Sequence, residues 1–443
     1  MKRILILGAG KSSPYAIDRL AEWCAERDGK LTVADLNGDL AKARCAKHRA
    51  ASAAELSSAD PAAREALIAA HDIVVSLLPA TEHPAVAQQC LRYGRHLVTA
   101  SYVTPAMESL HKEAVQAGLI FLNECGVDPG LDHISAMMLL DRIRQEGGTV
   151  VSFKSACGGL VAPESDTNPW GYKFTWNPRN VVLAGQGGAA LYREEGQIRL
   201  CPAHRLFAMA HRVEIEGVGT FELYANRDSL LYAPLYGLEG CPTFLRGTLR
   251  RSPFCRAWHM VLSAGLTDDT TPLPWLRGEP RFRLMQTLGF SSLSEVLKLH
   301  SFGESQEVVE ALEFLELFSS EPLMAEGLPT AAGYLQKILE EKWRLRPNDR
   351  DRVVLVHQII WQRGGRRYGL ISSLVEDGRD ALYTAMARTV GLTLAEATIL
   401  VAEGRLRSCG VLRPTLPELY EPLWEKLVAS GVFKFKDTEV EIS

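Results

Sequence analysis

Residues 3–35 constrain the fold more than any other stretch. Arg3–Leu7 reads RILIL, a short apolar run of strand-forming residues, and Gly8-Ala9-Gly10 follows at once. Lys11-Ser12-Ser13-Pro14 leads into a helical pattern carried by Ile17, Leu20 and Trp23, and a second run, Leu31-Thr32-Val33-Ala34, ends in Asp35. Strand, glycine turn, helix and a strand closed by an acid are the parts of a dinucleotide-binding unit. The glycines let the backbone approach a pyrophosphate, whose charge sits at the helix N-terminus. Ser13 replaces the third glycine of the fingerprint, and its small side chain still permits helix–strand packing. Gly8, Gly10, Lys11, Ser12 and Ser13 are therefore the expected pyrophosphate loop. Asp35 is placed to accept hydrogen bonds from the adenosine ribose and to repel a 2′-phosphate, which favours NAD over NADP. Lys42 and Arg44 would have to reach past it.

The pattern repeats. His71–Pro79 reads as a buried strand turning towards a helix near His83-Pro84, and His96–Ala100 as another that runs into Ser101–Pro105. A third, Gly118–Leu122, breaks into Asn123-Glu124-Cys125-Gly126-Val127-Asp128-Pro129-Gly130 before a helix. Alternating strands and helices with short loops over residues 1–130 predict an α/β, Rossmann-type doubly wound parallel sheet. Ligands of such sheets bind beyond the carboxyl ends of the strands. Four loops meet that condition: 8–13, 78–83, 101–105 and 123–132. Leu78, Pro79, Thr81, Ser101 and Asn123 complete the expected cofactor contacts. Asp132 is suited to cap the following helix and His133 to pack within it.

Composition excludes several classes. At 443 residues the chain is long enough for two or three domains, and 47% hydrophobic with 23% charged residues is ordinary for a globular protein. A net charge of -4 gives no basic face for nucleic acid or an anionic membrane. The nine cysteines are scattered, with no CxxC pair, which predicts reduced thiols in a cytoplasmic setting and no metal site. The apolar run at the N-terminus is too short for an export signal, and no run approaches the ~20 apolar residues of a membrane span.

After Asp141 the texture changes. Val150–Cys157 alternates as a strand, and Pro163–Arg179 is a turn-rich segment whose Trp170, Tyr172, Lys173, Phe174 and Trp176 suit a substrate lid. Strands are expected at Arg212–Val218 and Phe221–Ala225, helices through most of 252–345, and a hairpin from Arg352–Gln362 to Arg366–Val375. Two helices, Ala381–Leu400 and Leu416–Ser430, close the chain.

SYVTPAM (Ser101–Met107), NECGVDPGLDH (Asn123–His133), CGGLVAPESDTNPWGYKFTW (Cys157–Trp176), NRDS (Asn226–Ser229) and RGTLR (Arg246–Arg250) together resemble the L-glutamate-forming saccharopine dehydrogenase (saccharopine reductase) family. MARTVG (Met386–Gly391) and GVLRPTLPE (Gly410–Glu418) fit the same pattern, so the resemblance covers nearly the whole chain. It implies a Rossmann domain of 1–130 plus 395–443, an α/β substrate-binding and dimerisation domain of 131–250 plus 350–394, and a mainly helical insertion of 251–349. It also implies a homodimer, and oxidation of saccharopine at its secondary amine with hydrolysis to L-glutamate and α-aminoadipate semialdehyde, or the reverse.

The resemblance assigns Asp128, Tyr102 and Cys157 to the reacting centre, and Arg227 and Arg246, assisted by Lys173, to the substrate's three carboxylates. Ser101, Gly158, Phe174 and Thr248 fill out the substrate site. Arginine suits carboxylates because its planar fork binds them in bidentate fashion. The family's better-known members prefer NADP and lack an acid at the position of Asp35, so resemblance and local chemistry point to different cofactors. A related carboxyspermidine-forming or lysine-oxidising enzyme, or a non-catalytic dinucleotide-binding protein, are the competing readings.

Overall fold

The computed structural model describes residues 2–57 and 60–442. The chain forms two compact units, residues 1–148 with 382–436 and residues 149–381 with 437–443. In the first unit, strands β1 (Arg3–Leu7), β2 (Lys30–Asp35), β3 (Ala51–Glu55), β4 (Ile73–Ser76), β5 (His96–Thr99) and β6 (Ile120–Leu122) join the strand Gly410–Leu412 in a seven-stranded sheet. Every pairing is parallel, and the order from one edge is β3-β2-β1-β4-β5-β6 and then Gly410–Leu412. That is the order of a doubly wound dinucleotide fold, with its switch point between β1 and β4. Strands buried on both faces explain the continuous apolar runs: Ile4, Leu5, Ile6 and Leu7 are fully buried, as are Ile73, Val74 and Val75. Sequence periodicity does not announce β3, because its ASAAE is neither apolar nor β-branched, nor Gly410–Leu412, which lies far down the chain.

The first unit extends further than expected. Helix Leu131–Gln145 belongs to it, and so does the whole of helix Ala385–Ala402. The physical cause is packing: Tyr420 donates its hydroxyl to Asp141, and Arg19 Nε reaches Glu396 Oε1 at 2.6 Å. Among the described residues one helix, Ala385–Ala402, is long and apolar enough to cross a membrane, and it is packed inside this unit.

The second unit is built on a mixed sheet. Its strands are β7 (Thr149–Val161), β8 (Ala190–Glu194), β9 (Gln197–Cys201), β10 (His211–Ile215), β11 (Gly219–Ala225), β12 (Thr243–Arg250), β13 (Asp351–Arg363) and β14 (Arg366–Asp377). The order runs β10-β11-β12-β7-β13-β14 and ends on the C-terminal strand Phe435–Ile442, with β7 and β12 parallel and β10–β11, β11–β12, β7–β13 and β13–β14 antiparallel. The expected hairpin is β13–β14, with Arg363 opposite Arg366. The β8–β9 hairpin was not anticipated.

The helical stretch 251–349, expected as a separate part, shares its core with this unit. Trp343 is fully buried, with its ring 5.0 Å from Trp170, 5.3 Å from both Tyr172 and Phe174, and 5.7 Å from Trp258. Segment 163–179 is therefore not a lid, since its aromatic side chains are the inner wall of this core. Removing the ring that touches these four and also Phe254 should cost about 3–5 kcal/mol, because so tight a cluster cannot collapse onto the cavity. Trp343→Ala is expected to lower the denaturant midpoint of the second unit's unfolding by that measure, read by intrinsic fluorescence and circular dichroism.

Candidate active site

The carboxyl ends of β1, β4, β5 and β6 gather four loops in the first unit. In the loop after β1, Gly8 has φ +105°, and a Cβ there would stand 3.1 Å from the Leu77 carbonyl oxygen. A Cβ on Gly10 would meet nothing within 4 Å. Ser13 is fully buried with its hydroxyl donating to the Gly10 carbonyl at 2.8 Å, so the serine closes the turn from inside. No side chain caps helix Pro14–Glu26, leaving its first N–H groups for a ligand. Lys11 is exposed and Ser12 half-buried beside them. A bare glycine cradle at an uncapped helix N-terminus fits a dinucleotide pyrophosphate.

Asp35 ends β2 with its carboxylate turned into this loop. Oδ2 accepts from the Ala9 N–H at 2.6 Å and Oδ1 from the Asn37 N–H at 2.8 Å. Arg44 reaches the same loop from the far side, its Nε 3.4 Å from the Ala9 carbonyl oxygen. Asp35 makes no ion pair among the described residues, and its carboxylate is held by these two backbone N–H groups.

The loop after β4 carries Leu78, Pro79 and Thr81 at the surface or half-buried, and then helix His83–Tyr93. His83, which sequence reasoning passed over, is buried. Its Nδ1 lies 2.9 Å from Ser76 Oγ, and its Nε2 lies 2.8 Å from Ser101 Oγ and 3.1 Å from Thr99 Oγ1. Burial lowers the imidazole to about 4, so a neutral ring ties the ends of β4 and β5 together. Ser101 is thereby held.

The loops after β5 and β6 are pinned to each other. The Glu124 N–H donates to the Ser101 carbonyl at 3.1 Å and the Cys125 N–H to the Thr99 carbonyl at 3.1 Å. Tyr102 donates its hydroxyl to Asp128 Oδ1 at 2.8 Å. Asp128 is half-buried, and its peptide to Pro129 is cis. Gly130 has φ +145°, and a Cβ there would fall 2.2 Å from the Gly126 carbonyl oxygen, so only glycine closes this turn.

Glu124 holds the pair of loops from below. It is fully buried with φ +59°. Its oxygens accept from the Val103 N–H at 3.0 Å and Arg413 Nε at 3.2 Å, and stand 2.8 Å from His133 Nε2. Burial alone would raise this carboxyl, but the bonds from His133, Val103 and Arg413 outweigh it and hold it below its ordinary value of 4.5. Asn123 is also buried, one amide hydrogen donating to the Phe121 carbonyl at 2.8 Å, which fixes the side chain at the floor of the loop. Asp132 is not the helix cap. It lies inside the first turn of helix Leu131–Gln145 and accepts from the Gly130 N–H at 2.6 Å.

The second unit carries the remaining candidates. Thr248 on β12 stands opposite Cys157 on β7 and opposite Tyr224 on β11. Gly158 lies on the opposite face from Cys157, where a Cβ would meet the Leu249 carbonyl oxygen at 2.8 Å. Arg246 is buried with its guanidinium 4.2 Å from the centre of the Tyr232 ring. Arg227 is exposed with φ +50°, in a turn whose Asn226 N–H donates to the Arg246 carbonyl at 2.8 Å. Two candidates have partners within this unit. Lys173 is buried and donates to Asp349 at 2.6 Å, so its charge is already matched. Phe174 sits in the aromatic core, where its ring serves packing.

Glu124→Gln should destabilise the first unit by about 3 kcal/mol near neutral pH, because buried donors lose a charged acceptor. A depressed carboxyl contributes above its unfolded value and loses that contribution as pH falls. The wild-type advantage over Glu124→Gln, measured by urea denaturation, should therefore be full above pH 4.5 and vanish as the pH is lowered beneath it.

Comparison with known proteins agrees with this geometry. Residues 4–122 match the saccharopine dehydrogenase NADP binding domain, and residues 126–432 match the saccharopine dehydrogenase C-terminal domain. The chain is 35% identical over 444 residues to saccharopine dehydrogenase [NADP(+), L-glutamate-forming] of Saccharomyces cerevisiae, with 96% of each protein covered. It is 31% identical to the mitochondrial alpha-aminoadipic semialdehyde synthase of Bos taurus, covering 100% of this chain and 48% of that one. The solved apo structure of histidine-tagged saccharopine dehydrogenase (L-Glu forming) from S. cerevisiae superposes with a TM-score of 0.86, 33% identity, and coverage of 99% of this chain and 100% of that chain. With two domain models spanning the glycine loop, the Tyr102–Asp128 pair and the Cys157 sheet alike, the chain belongs to the saccharopine dehydrogenase family.

Proposed function

We propose that the protein oxidises saccharopine at its secondary amine and hydrolyses the product to L-glutamate and α-aminoadipate semialdehyde, or runs the reverse condensation and reduction. The observation that carries this reading is the Tyr102–Asp128 hydrogen bond of 2.8 Å, held at the carboxyl ends of β5 and β6 over the buried Glu124. A bound nicotinamide supplies the hydride acceptor. The Gly8–Ser13 loop would hold its pyrophosphate and Asp35 its ribose, with Leu78, Pro79, Thr81 and Ser101 along the crevice.

Asp128 takes the proton that the amine loses when the carbon–nitrogen bond becomes an imine. Tyr102 donates to Asp128 Oδ1 and so orients the carboxylate that takes up the amine proton and then activates the attacking water. The same carboxyl returns a proton to nitrogen as the carbinolamine collapses, so water adds across the bond and glutamate leaves as an amine. Cys157 and Thr248, side by side on one sheet face, present a small polar surface to the substrate. Arg227 and Arg246 bind carboxylates, whereas Lys173 is left out because Asp349 neutralises it. The second unit is the substrate-binding and dimerisation part, including its helical stretch. The protein is a cytoplasmic homodimer, to be tested by light scattering and cell fractionation.

Saccharopine-dependent formation of reduced cofactor by purified protein tests the reaction, and no turnover with either NAD⁺ or NADP⁺ would sink it. Asp128→Asn should lower kcat by about 10²-fold or more with cofactor affinity unchanged. For the cofactor, the uncompensated Asp35 carboxylate supports NAD even though the named relatives are NADP enzymes. Asp35→Ser should then shift the kcat/KM ratio towards NADP⁺ by about tenfold or more, with Arg44 left as the cation at the loop. A wild type that already favours NADP⁺ would refute the assignment of NAD.

A further inference from the structure

We propose that a cleft in the second unit, on the sheet face away from Cys157 and Thr248, binds a free α-amino acid with an aliphatic side chain. The cleft arises from the way β12 changes neighbours. Its Phe244 pairs with Arg193 of β8, whereas Gly247 to Arg250 pair with β11. Leu245 falls between the two pairings. The hairpins β8–β9 and β10–β11 thus diverge there, and a cleft of about 170 Å³ opens in the fork. Leu245 and Leu223 form its floor, each 6% exposed, and Leu206 and Met209 from the connection between β9 and β10 add apolar wall. Strand alternation brings polar residues to the same place. Lys154 stands opposite Leu245 in register and points away from the face of Phe153, Ser155 and Cys157. Tyr192 and Glu194 alternate on β8, and His211 stands opposite Leu223.

The charges in this cleft are poorly matched by the protein itself. Lys154 is half-buried on a central strand, and its ammonium makes no ion pair or hydrogen bond among the described residues. Lys173, by contrast, is matched by Asp349 at 2.6 Å. Glu194 has only a loose partner, its Oε2 lying 3.7 Å from Arg199 Nε, with both side chains nearly half exposed. Such a surface pair holds its members weakly. Lys154 and Glu194 are both close enough to His211 to act on its charge. Burial and Lys154 push the imidazole below its ordinary 6.5 while Glu194 pulls it up. Burial and Glu194 push the Tyr192 phenol above its ordinary value, so it keeps its proton and remains a donor.

An unmatched ammonium and a loosely matched carboxylate therefore share one cleft over an apolar floor. A ligand that is only an anion satisfies Lys154 but meets repulsion from Glu194, and one that is only a cation meets the reverse. A zwitterion satisfies both, so the pair selects for it by attraction and by repulsion together. The volume lies below the ~300–1,000 Å³ of clefts that take drug-sized ligands, which suits a free amino acid and leaves no room for a nucleotide. The leucines and Met209 then select the side chain, with methionine adaptable to its exact shape. This reading of the cleft does not depend on the reaction assigned above.

Titration calorimetry on the intact protein, without dinucleotide so that nothing turns over, tests the site with L-norleucine as the probe. Saturable binding is expected, with a Kd that changes by less than about twofold when saccharopine is present in excess. Hexanoate lacks the ammonium group and pentylamine lacks the carboxylate, and each should bind about tenfold more weakly or worse. Lys154→Met and Glu194→Gln should each weaken L-norleucine by about tenfold or more and leave dinucleotide affinity unchanged. Either variant alone carries this reading if the other does not fold. Four results would overturn the proposal: no saturable binding of L-norleucine, hexanoate or pentylamine binding as tightly as the amino acid, displacement of L-norleucine by saccharopine, or wild-type affinity in the variants. None of these readings requires turnover, so a failure of the assigned reaction leaves them standing.

Discussion

The buried carboxylate of Glu124 is the interaction on which the first unit's functional end depends. It lies immediately after β6, in a backbone conformation with positive φ, and accepts from the loop after β5, from helix Leu131–Gln145 and from Arg413. These partners come from three separated parts of the chain. A charge in this position is tolerated only because every oxygen lone pair it needs is matched, and the same matching makes its surroundings rigid. Tyr102 and Asp128 are brought to hydrogen-bond distance on top of that rigid base. His83 does for the β4 and β5 ends, with a neutral ring, what Glu124 does for β5 and β6 with a charge. The glycine loop thus faces a wall whose side chains are already oriented.

In the second unit the organising feature is a sheet with two unlike faces. One face carries leucine, valine and alanine into a closed core. The other carries Arg246, Thr248 and Cys157 next to an aromatic core that the helices complete through Trp258 and Trp343. Packing large rings beside polar strand residues lets the sheet present cations without filling that face with water. It also accounts for the burial of the Trp170 and Tyr172 rings of segment 163–179 in that core.

Much of this was legible in the order of residues. The apolar run of Arg3–Leu7, the glycines behind it and Asp35 are local signals, and so are the hairpin of β13 and β14 and helices Ala385–Ala402 and Pro417–Trp424, whereas the strand Phe435–Ile442 after them was not anticipated. The motifs around Tyr102, Asp128, Cys157 and Arg246 were legible as a family pattern. Illegible were His83 and Arg413, because a histidine or an arginine in a helix start or a loop carries no mark of its partner, and Arg413 meets Glu124 across 289 residues. The partners of Phe174 and Lys173 were illegible for the complementary reason. Their neighbours in sequence look like a polar lid, whereas their neighbours in space are Trp343 and Asp349.

By itself the sequence determined the strand–glycine–helix unit, the parallel alternation that follows it, and which loops stand at the carboxyl ends of the strands. Those features depend on backbone conformation and on periodic burial, both encoded within a few residues. Only the tertiary structure decided which polar groups are matched and which are left with charge to offer. Among the described residues Asp35 faces the glycine loop without an ion pair, Lys173 is neutralised, and Arg250 is buried among rings. Pairing is a property of distance in space, and a chain encodes it only through the fold that brings remote residues together.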